Sequence, residues 1–276
     1  MFSMSNTMKD DIKVEVLTTT MGASDFSLIE KMNIQTNAVI ANQADSYSYT
    51  EKILNHNTCR LITTNTRGAS LNRNIAIAHS TCDIVLFTDD DTVLVDGYEE
   101  KIIEEFKKNE EIEAIKFFAV SSAPERPLSF KKPEKLAKAS LRHIMSSGIH
   151  VFAIKRDVLI RGNFRFNEYL GPGRQWSHGE DNIFIKQLMD SKVNVYVSPV
   201  QLATINQQES SWFTGYDEHY FFTCGLLYRY LYGHLSILAI LRGSYNHYKN
   251  TDKSYKIRDL VRFMWNGSIY AKKIKR

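Results

Sequence analysis

The sequence predicts an α/β protein: an open, mostly parallel twisted sheet flanked by helices, with a helical appendage at the C-terminal end. Three observations predict it. Strand-like and helix-like segments alternate from Lys13 to Val120, the rhythm of parallel sheets. The run Ile84–Thr88 is apolar or β-branched throughout, as a strand buried on both faces must be. That run stops at Asp89-Asp90-Asp91, where the carboxyl end of a central strand would face the ligand crevice of an open sheet.

Taken in order, Lys13–Thr20 is the first strand, with Val14, Val16 and Leu17 inward, and it ends in a small polar turn. Ser24 or Asp25 caps a short helix through Met32. Ala38–Ala41 is the second strand, ending at Asn42-Gln43-Ala44-Asp45, and Arg60–Thr64 is the third. A turn at residues 65–70 opens a helix with Leu71, Ile75 and Ala78 on one face. After the acidic strand come a helix from Gly97 to Lys107 and a strand from Ala114 to Val120. The alternation then breaks. Residues 121–147 are basic and hold three of the five prolines, which predicts an excursion over the sheet edge with a helix from Pro133 to Met145. His150–Ile154 resumes as a strand, Glu180–Met189 as a helix, and Asn194–Val197 closes the sheet. An apolar, Tyr-rich helix from Glu218 to Leu241 and a basic tail helix from Lys256 to Lys275 follow, with Trp212 as a packing residue before them. The division expected is a catalytic domain over 1–208 and a helical region over 209–276.

Composition narrows the classes. Hydrophobic residues make up 43% and aromatics 12%, enough for a substantial core and against disorder. The net charge of +4 is too mild to imply nucleic acid, and the excess lies beyond Lys249. Three scattered cysteines without a CxxC predict reduced thiols in a cytoplasmic protein. The N-terminal segment lacks the apolar region of a signal peptide, and no run of eighteen apolar residues occurs.

Three adjacent carboxylates repel one another and cannot be buried unpaired. A divalent cation with oxygen ligands would offset the repulsion and hold a phosphate. Four polar clusters fall at one edge of the predicted sheet: Thr18–Thr20, Asn42–Asp45, Asn65–Arg73 and Asp89–Asp91. No GxGxxG follows the first strand and no GxxxxGK[ST] is present, against a dinucleotide-binding enzyme and a P-loop NTPase. A second acidic pair, Glu180-Asp181, opens a helix after the loop Gly171–Gly179, either as plain helix caps or as catalytic groups held by backbone N–H groups, which would lower their pKa. Trp176 is a sugar-stacking ring or a core anchor; His178 is a loop hydrogen-bonder or a ligand.

Together, Asn65-x-x-Gly68-x-Ser70-x-x-Arg73-Asn74, the strand ending in Asp89-Asp90-Asp91, and Gly179-Glu180-Asp181 resemble family 2 glycosyltransferases of GT-A fold, with their Rossmann-like nucleotide-binding half, over residues 12–200. The resemblance implies a metal-dependent inverting transferase of the bacterial polysaccharide-assembly type. It would move a hexose from a nucleoside diphosphate, UDP above all, to a saccharide acceptor, lipid-linked at the inner membrane face. By resemblance, Asp89 contacts the donor ribose and, with Asp91, the site of Mn²⁺ or Mg²⁺, and Asp90 belongs to the same donor-binding turn. Thr18 and Thr19 supply backbone contacts to the base. Arg73 and the second-strand end (Asn42, Gln43 or Asp45) lie near base and ribose. Asp181 is the base, Glu180 orients the acceptor or braces the loop, and Trp176 and His178 are acceptor-side candidates. The amphipathic basic tail suits an anionic membrane face, an intramolecular packing helix or a homodimer contact. The competitors are a nucleotidyltransferase, which would want a Lys between Thr18 and Asp25, and a non-catalytic nucleotide- or carbohydrate-binding module, which would not need Glu180-Asp181.

Overall fold

The computed structural model describes residues 12–145, 147–206 and 215–274. The expected packing role of Trp212, the boundary at 208 and the last basic residues of the tail lie outside the described residues. The strands are β1 (Val14–Met21), β2 (Asn37–Gln43), β3 (Ser48–Leu54), β4 (Asn57–Thr64), β5 (Ile84–Asp89), β6 (Thr92–Leu94), β7 (Ala114–Ser121), β8 (Ala137–Lys138), β9 (Phe152–Lys155) and β10 (Val195–Ile205). They form one sheet in the order β3-β4-β2-β1-β5-β9-β7-β10-β6, with β8 also on β10. The core strands β4, β2, β1 and β5 run parallel. Beyond them the sheet is mixed: β9 is antiparallel to β5 and β7, while β7 and β10 are parallel.

The near-continuous apolar runs follow from cover on both faces. Ala38, Ile40, Ile84 and Leu86 pack in one core with α1 (Ser27–Lys31) and α3 (Tyr98–Lys107), through Leu28, Ile29, Tyr98 and Ile102. The alternate residues Val39, Ala41, Val85 and Phe87 pack on the other side with α2 (Ala69–His79), α5 (Arg156–Arg161) and α6 (Glu180–Asp190). Successive side chains point to opposite faces, so the same strand feeds both cores.

Several elements depart from expectation. The edge strand β3 pairs with β4 through a tight turn at Asn55 and His56, both at positive φ (48° and 67°), the backbone of a two-residue hairpin. The turn lacks the usual glycine, which hid it. The helix expected over 133–145 is replaced by β8 and one short helix, α4 (Leu141–Ile144), because residues 137–138 pair with β10 instead. The strand expected to end at Val197 runs on to Ile205, with a register break around Pro199, which has no N–H to give the ladder. The long C-terminal helix is two: α7 (Glu218–Tyr232) and α8 (Ser236–Asn250), broken at Gly233 (φ 56°). The tail helix is α9 (Ile257–Ile274), which crosses α7 at backbone contact; a Cβ on Gly225 would fall 1.8 Å from the Met264 carbonyl oxygen.

Candidate active site

The parallel strands β1, β2, β4 and β5 end together, so their polar termini meet at one edge. Register pairs Thr19 with Asp89, Thr20 with Asn42, and Gln43 with Thr64. Several of these groups serve the fold. Thr18 lies within the ladder, buried, with its hydroxyl 3.7 Å from Met32 Sδ. Asn42 is fully buried: its amide donates to the Ala23 carbonyl (2.8 Å) and Thr63 Oγ1 (3.0 Å), and its Oδ1 accepts from Ala23 N (2.9 Å). The Asn42 amide is therefore committed to the fold rather than open to a donor, while the buried Thr18 side chain leaves the expected backbone contact untouched. Gln43 accepts from Gly68 N at 2.7 Å, and the exposed Asp45 pairs with Arg67; both stay at the strand-end surface. Thr19 is 8% exposed beside Asp89, and Thr20 Oγ1 donates to Asp90 Oδ2 at 2.6 Å.

The helix α2 signature has a different use from the one expected. Its residues hold the 166–181 segment. Ser70 Oγ donates to the Leu170 carbonyl (2.6 Å), and Asn74 exchanges two bonds with the Phe166 backbone (2.8 and 3.0 Å). Gly171 (φ 106°) sits so close that a Cβ would meet Ser70 Oγ at 2.8 Å. Arg73, expected near base and ribose, is buried among three carboxylates of the site. Its Nη2 donates to Asp89 Oδ1 (2.8 Å), and its Nη1 to Asp181 Oδ1 (2.9 Å) and Glu180 Oε1 (3.3 Å). Its guanidinium also lies 5.3 Å from the centre of the Phe166 ring. The reason is electrostatic: three carboxylates gathered out of water need a permanent cation, and arginine cannot lose its proton.

Asp89, Asp91, Arg73, Glu180, Asp181 and His178 line one cavity of about 370 Å³. Asp89 and Asp91 of the triplet thus share one space with the acid pair, although the two groups are far apart in sequence. Asp181 is doubly held, because its Oδ2 also accepts from Ile149 N at 3.0 Å. Burial raises its pKa in spite of Arg73, which corrects the expectation that helix capping would lower it. Burial raises Glu180 too, and the neighbouring charge of Asp181 adds to this. Asp181 has the shorter charged bond and the extra backbone donor, so of the pair it better carries the negative charge while Glu180 keeps the proton. Asp89 stays ionised: burial opposes its charge, but Arg73 outweighs burial and holds the pKa low. Asp91 is pushed up to about 6 by burial and by the charges of Asp89 and Asp90.

The donor set can be tested against the implied cation. Asp89 is tied to Arg73 and Asp90 to Thr20, while the partner of the Asp91 carboxylate is the Thr92 hydroxyl at 3.4 Å. Among the described residues no three His, Cys, Asp or Glu are grouped to cage a metal. An Mg²⁺-like ion needs no such cage, since it takes one or two carboxylates and completes its shell with water and substrate phosphate. A crowded carboxylate with a raised pKa fits that use.

On the acceptor side, Trp176 is a core anchor. It is 7% exposed, stacked on Phe222 (4.8 Å) and His219 (5.2 Å) and met edge-on by Tyr270. No open ring face remains for a sugar, which corrects that expectation. His178 lines the cavity, stacked on Tyr220 with Nδ1 3.2 Å from Ser177 Oγ; burial, then His247 and His219, push its pKa down to about 4, so it is neutral at pH 7.

Two site groups escaped sequence reasoning. Lys116 sits mid-strand in β7, fully buried, and its ammonium donates to the carbonyls of Gly148 (3.4 Å) and His150. Burial lowers its pKa to about 7 against the pull of Asp181 and Asp89. His150 lines the cavity and is driven to about 3 by burial and Lys116. A lysine inside the otherwise apolar run Ala114–Val120 was the available signal.

The open mixed sheet with acidic groups at its parallel strand ends, followed by C-terminal helices, is the fold of GT-A structures. Residues 35–162 match the model described as glycosyl transferase family 2. Among solved structures the chain is similar to S. aureus TarS. The crystal structure of TarS 1-349 in complex with UDP-GlcNAc superposes with a TM-score of 0.58 at 14% identity, covering 86% of this chain and 73% of that one. TarS 1-349 superposes with a TM-score of 0.59 at 11% identity, covering 96% and 92%, and TarS 1-349 in complex with UDP gives the same figures. At such identities the likeness speaks for the fold. No curated protein matches the chain by sequence.

Proposed function

We propose that this glycosyltransferase is metal-dependent and inverting, and that it moves a hexose from a UDP-sugar to a saccharide hydroxyl. The observation that carries the reading is the shared cavity: Asp91 and Asp181 both line it, with Arg73 bridging Asp89 to Asp181. The UDP and UDP-GlcNAc in the TarS structures support the choice of donor.

Asp91 would hold Mn²⁺ or Mg²⁺, with Asp89 at its side, and the ion would neutralise the leaving diphosphate. The chain's own groups do the rest. Asp89, fixed by Arg73, presents its second oxygen to the donor. Asp181 accepts the proton of the acceptor hydroxyl as that oxygen attacks the anomeric carbon and the bond to the diphosphate breaks. Burial makes Asp181 a stronger base than a surface carboxylate, and the Arg73 and Ile149 contacts fix its plane. A protonated Glu180 donates rather than repels, and His178 offers a neutral ring to the acceptor. We place the reaction in the cytoplasm, on a lipid-linked acceptor used in cell-surface polysaccharide synthesis.

The test is UDP and UDP-sugar titration by thermal shift, with and without Mn²⁺, on the native chain and Asp91→Ala. A ligand at a hundred times its dissociation constant adds ~2.7 kcal/mol of stability. The native chain should show Mn²⁺-dependent UDP binding and the variant should not. Equal UDP affinity with and without Mn²⁺ refutes the metal role.

A further inference from the structure

A cluster of exposed apolar residues lies on the two last helices, apart from the residues that line the active-site cavity. Leu235 (66% exposed) stands at the α7–α8 corner, and Ile237, Leu238 (62%), Leu241 (52%) and Tyr245 recur along the outward face of α8. Trp265 (44%) stands on α9. The two helices are antiparallel neighbours: Ser236 Oγ lies 3.3 Å from Ser268 Oγ, and Ser244 Oγ lies 3.5 Å from Met264 Sδ. At helical spacing, Leu241 and Tyr245 on one side and Trp265 on the other flank that seam. Helix α7 packs elsewhere, with Tyr228 under Gly243 of α8 and Gly225 on α9. The apolar residues therefore make one ridge across α8 and α9.

The ridge is rimmed by cations. Arg242 and Lys249 lie on the outward face of α8, and Arg258 and Arg262, with side chains 76% and 64% exposed, on that of α9. Asp259 answers the two arginines only loosely, at 4.0 and 3.5 Å. Lys249 also lies 4.3 Å from the centre of the Tyr245 ring. An apolar ridge with tyrosine, tryptophan and a basic border matches the boundary of an anionic bilayer.

We propose that α8 and α9 seat the protein on an anionic lipid surface, lying along it rather than through it. Two features on the page select this occupant. A second copy packed face to face would set the same basic rim against itself, whereas anionic headgroups complement it. The stretch Glu218–Asn250 is apolar enough to pass for a membrane span, but Gly233 divides it. Each half is 15 residues, about 22 Å of helix against the roughly 30 Å of a hydrocarbon core. The surface stands independently of the transfer chemistry proposed above.

The test uses the full chain in sedimentation with vesicles of phosphatidylcholine alone or with added phosphatidylglycerol. The native protein should pellet with the anionic vesicles and much less with the neutral ones, and added salt should weaken the binding. The paired variant Leu238→Glu with Leu241→Glu, and separately Arg258→Gln with Arg262→Gln, should each lower partitioning about tenfold or more. Thermal unfolding should stay near native, since all four side chains are exposed. Both variants keep the tail from residue 272 onward, so binding through the tail alone would leave them unaffected and overturn the proposal. It also fails if the native chain ignores both vesicle types. A lipid-indifferent native dimer that the leucine variant converts to monomer would make a second copy the occupant, and the proposal fails there too.

Discussion

In the half built from β4, β2, β1 and β5, polar residues at strand ends mostly satisfy one another across neighbouring strands. Asn42 ties down Ala23, Thr20 holds Asp90, and Gln43 holds Gly68. In the half that follows residue 121, the groups lining the cavity are held by partners far away in sequence. Asp181 is fixed by Arg73 and Ile149, and the Gly148–His150 turn by Lys116. The first half is a scaffold that parallel pairing would form in any such sheet. The second is an assembly that exists only when distant segments meet. Arg73 belongs to both, since one guanidinium joins Asp89 of the first to Glu180 and Asp181 of the second.

The most direct way to break the comparison is Arg73→Met. Three carboxylates would share a buried space without their cation, and losing one member of such a cluster costs ~3–5 kcal/mol. Urea unfolding at pH 7 should show that loss. It should shrink toward pH 5, where protonation of Glu180 and Asp181 relieves the repulsion. An equal loss at both pH values would mean that Arg73 acts through packing alone.

Asp181→Asn removes the proposed base while keeping shape and most contacts. Turnover should fall by about 10²–10⁴, with UDP binding in the presence of Mn²⁺ unchanged. Near-native turnover would move the base elsewhere.

Asp91→Asn separates stability from binding. Asp91 rises from 3.8 to about 6 on folding, so at pH 7 its charge works against the ligand-free fold. After allowance for partial exposure, removing that charge should stabilise the ligand-free protein by about 1–2 kcal/mol. The gain should be full above pH 6, fade as pH falls through the folded pKa, and vanish below 3.8, where the carboxyl is protonated in both states. Mn²⁺-dependent UDP binding should be lost in the same variant. A ligand-free variant that melts lower at pH 7 contradicts the assignment.

The smallest effect is expected from Glu180→Gln. Glu180 is already neutral where Asp181 titrates, so the amide keeps its charge state and the acid limb of kcat should stay in place, with modest change in maximal rate. A limb that moves to lower pH would mean that Glu180 carries a negative charge beside Asp181.

The comparison also explains what could be read in advance. β1, β2, β5 and α3 were legible because both their faces are buried and their apolar runs are unbroken. β3 was missed because all but its last residue are exposed and its turn uses Asn55-His56 without glycine. The helix expected over 133–145 was wrong because side-chain periodicity cannot report that Ala137 will pair with Val197. The α2 signature was recognised, yet Arg73 was given to the donor because nothing within a few residues of it names Glu180, 107 positions away.

By itself, the sequence determined the parallel half of the sheet, the acid triplet at the end of β5 and the acid pair opening α6, since these depend on local periodicity and capping. Only the tertiary structure decided that Arg73 joins the two acidic groups, that Lys116 lies beneath Gly148 and His150, and that Trp176 is closed to ligand. The physical reason is range. Strand and helix signals act over a few residues, whereas burial and charge compensation act between any groups the fold brings within a few ångströms.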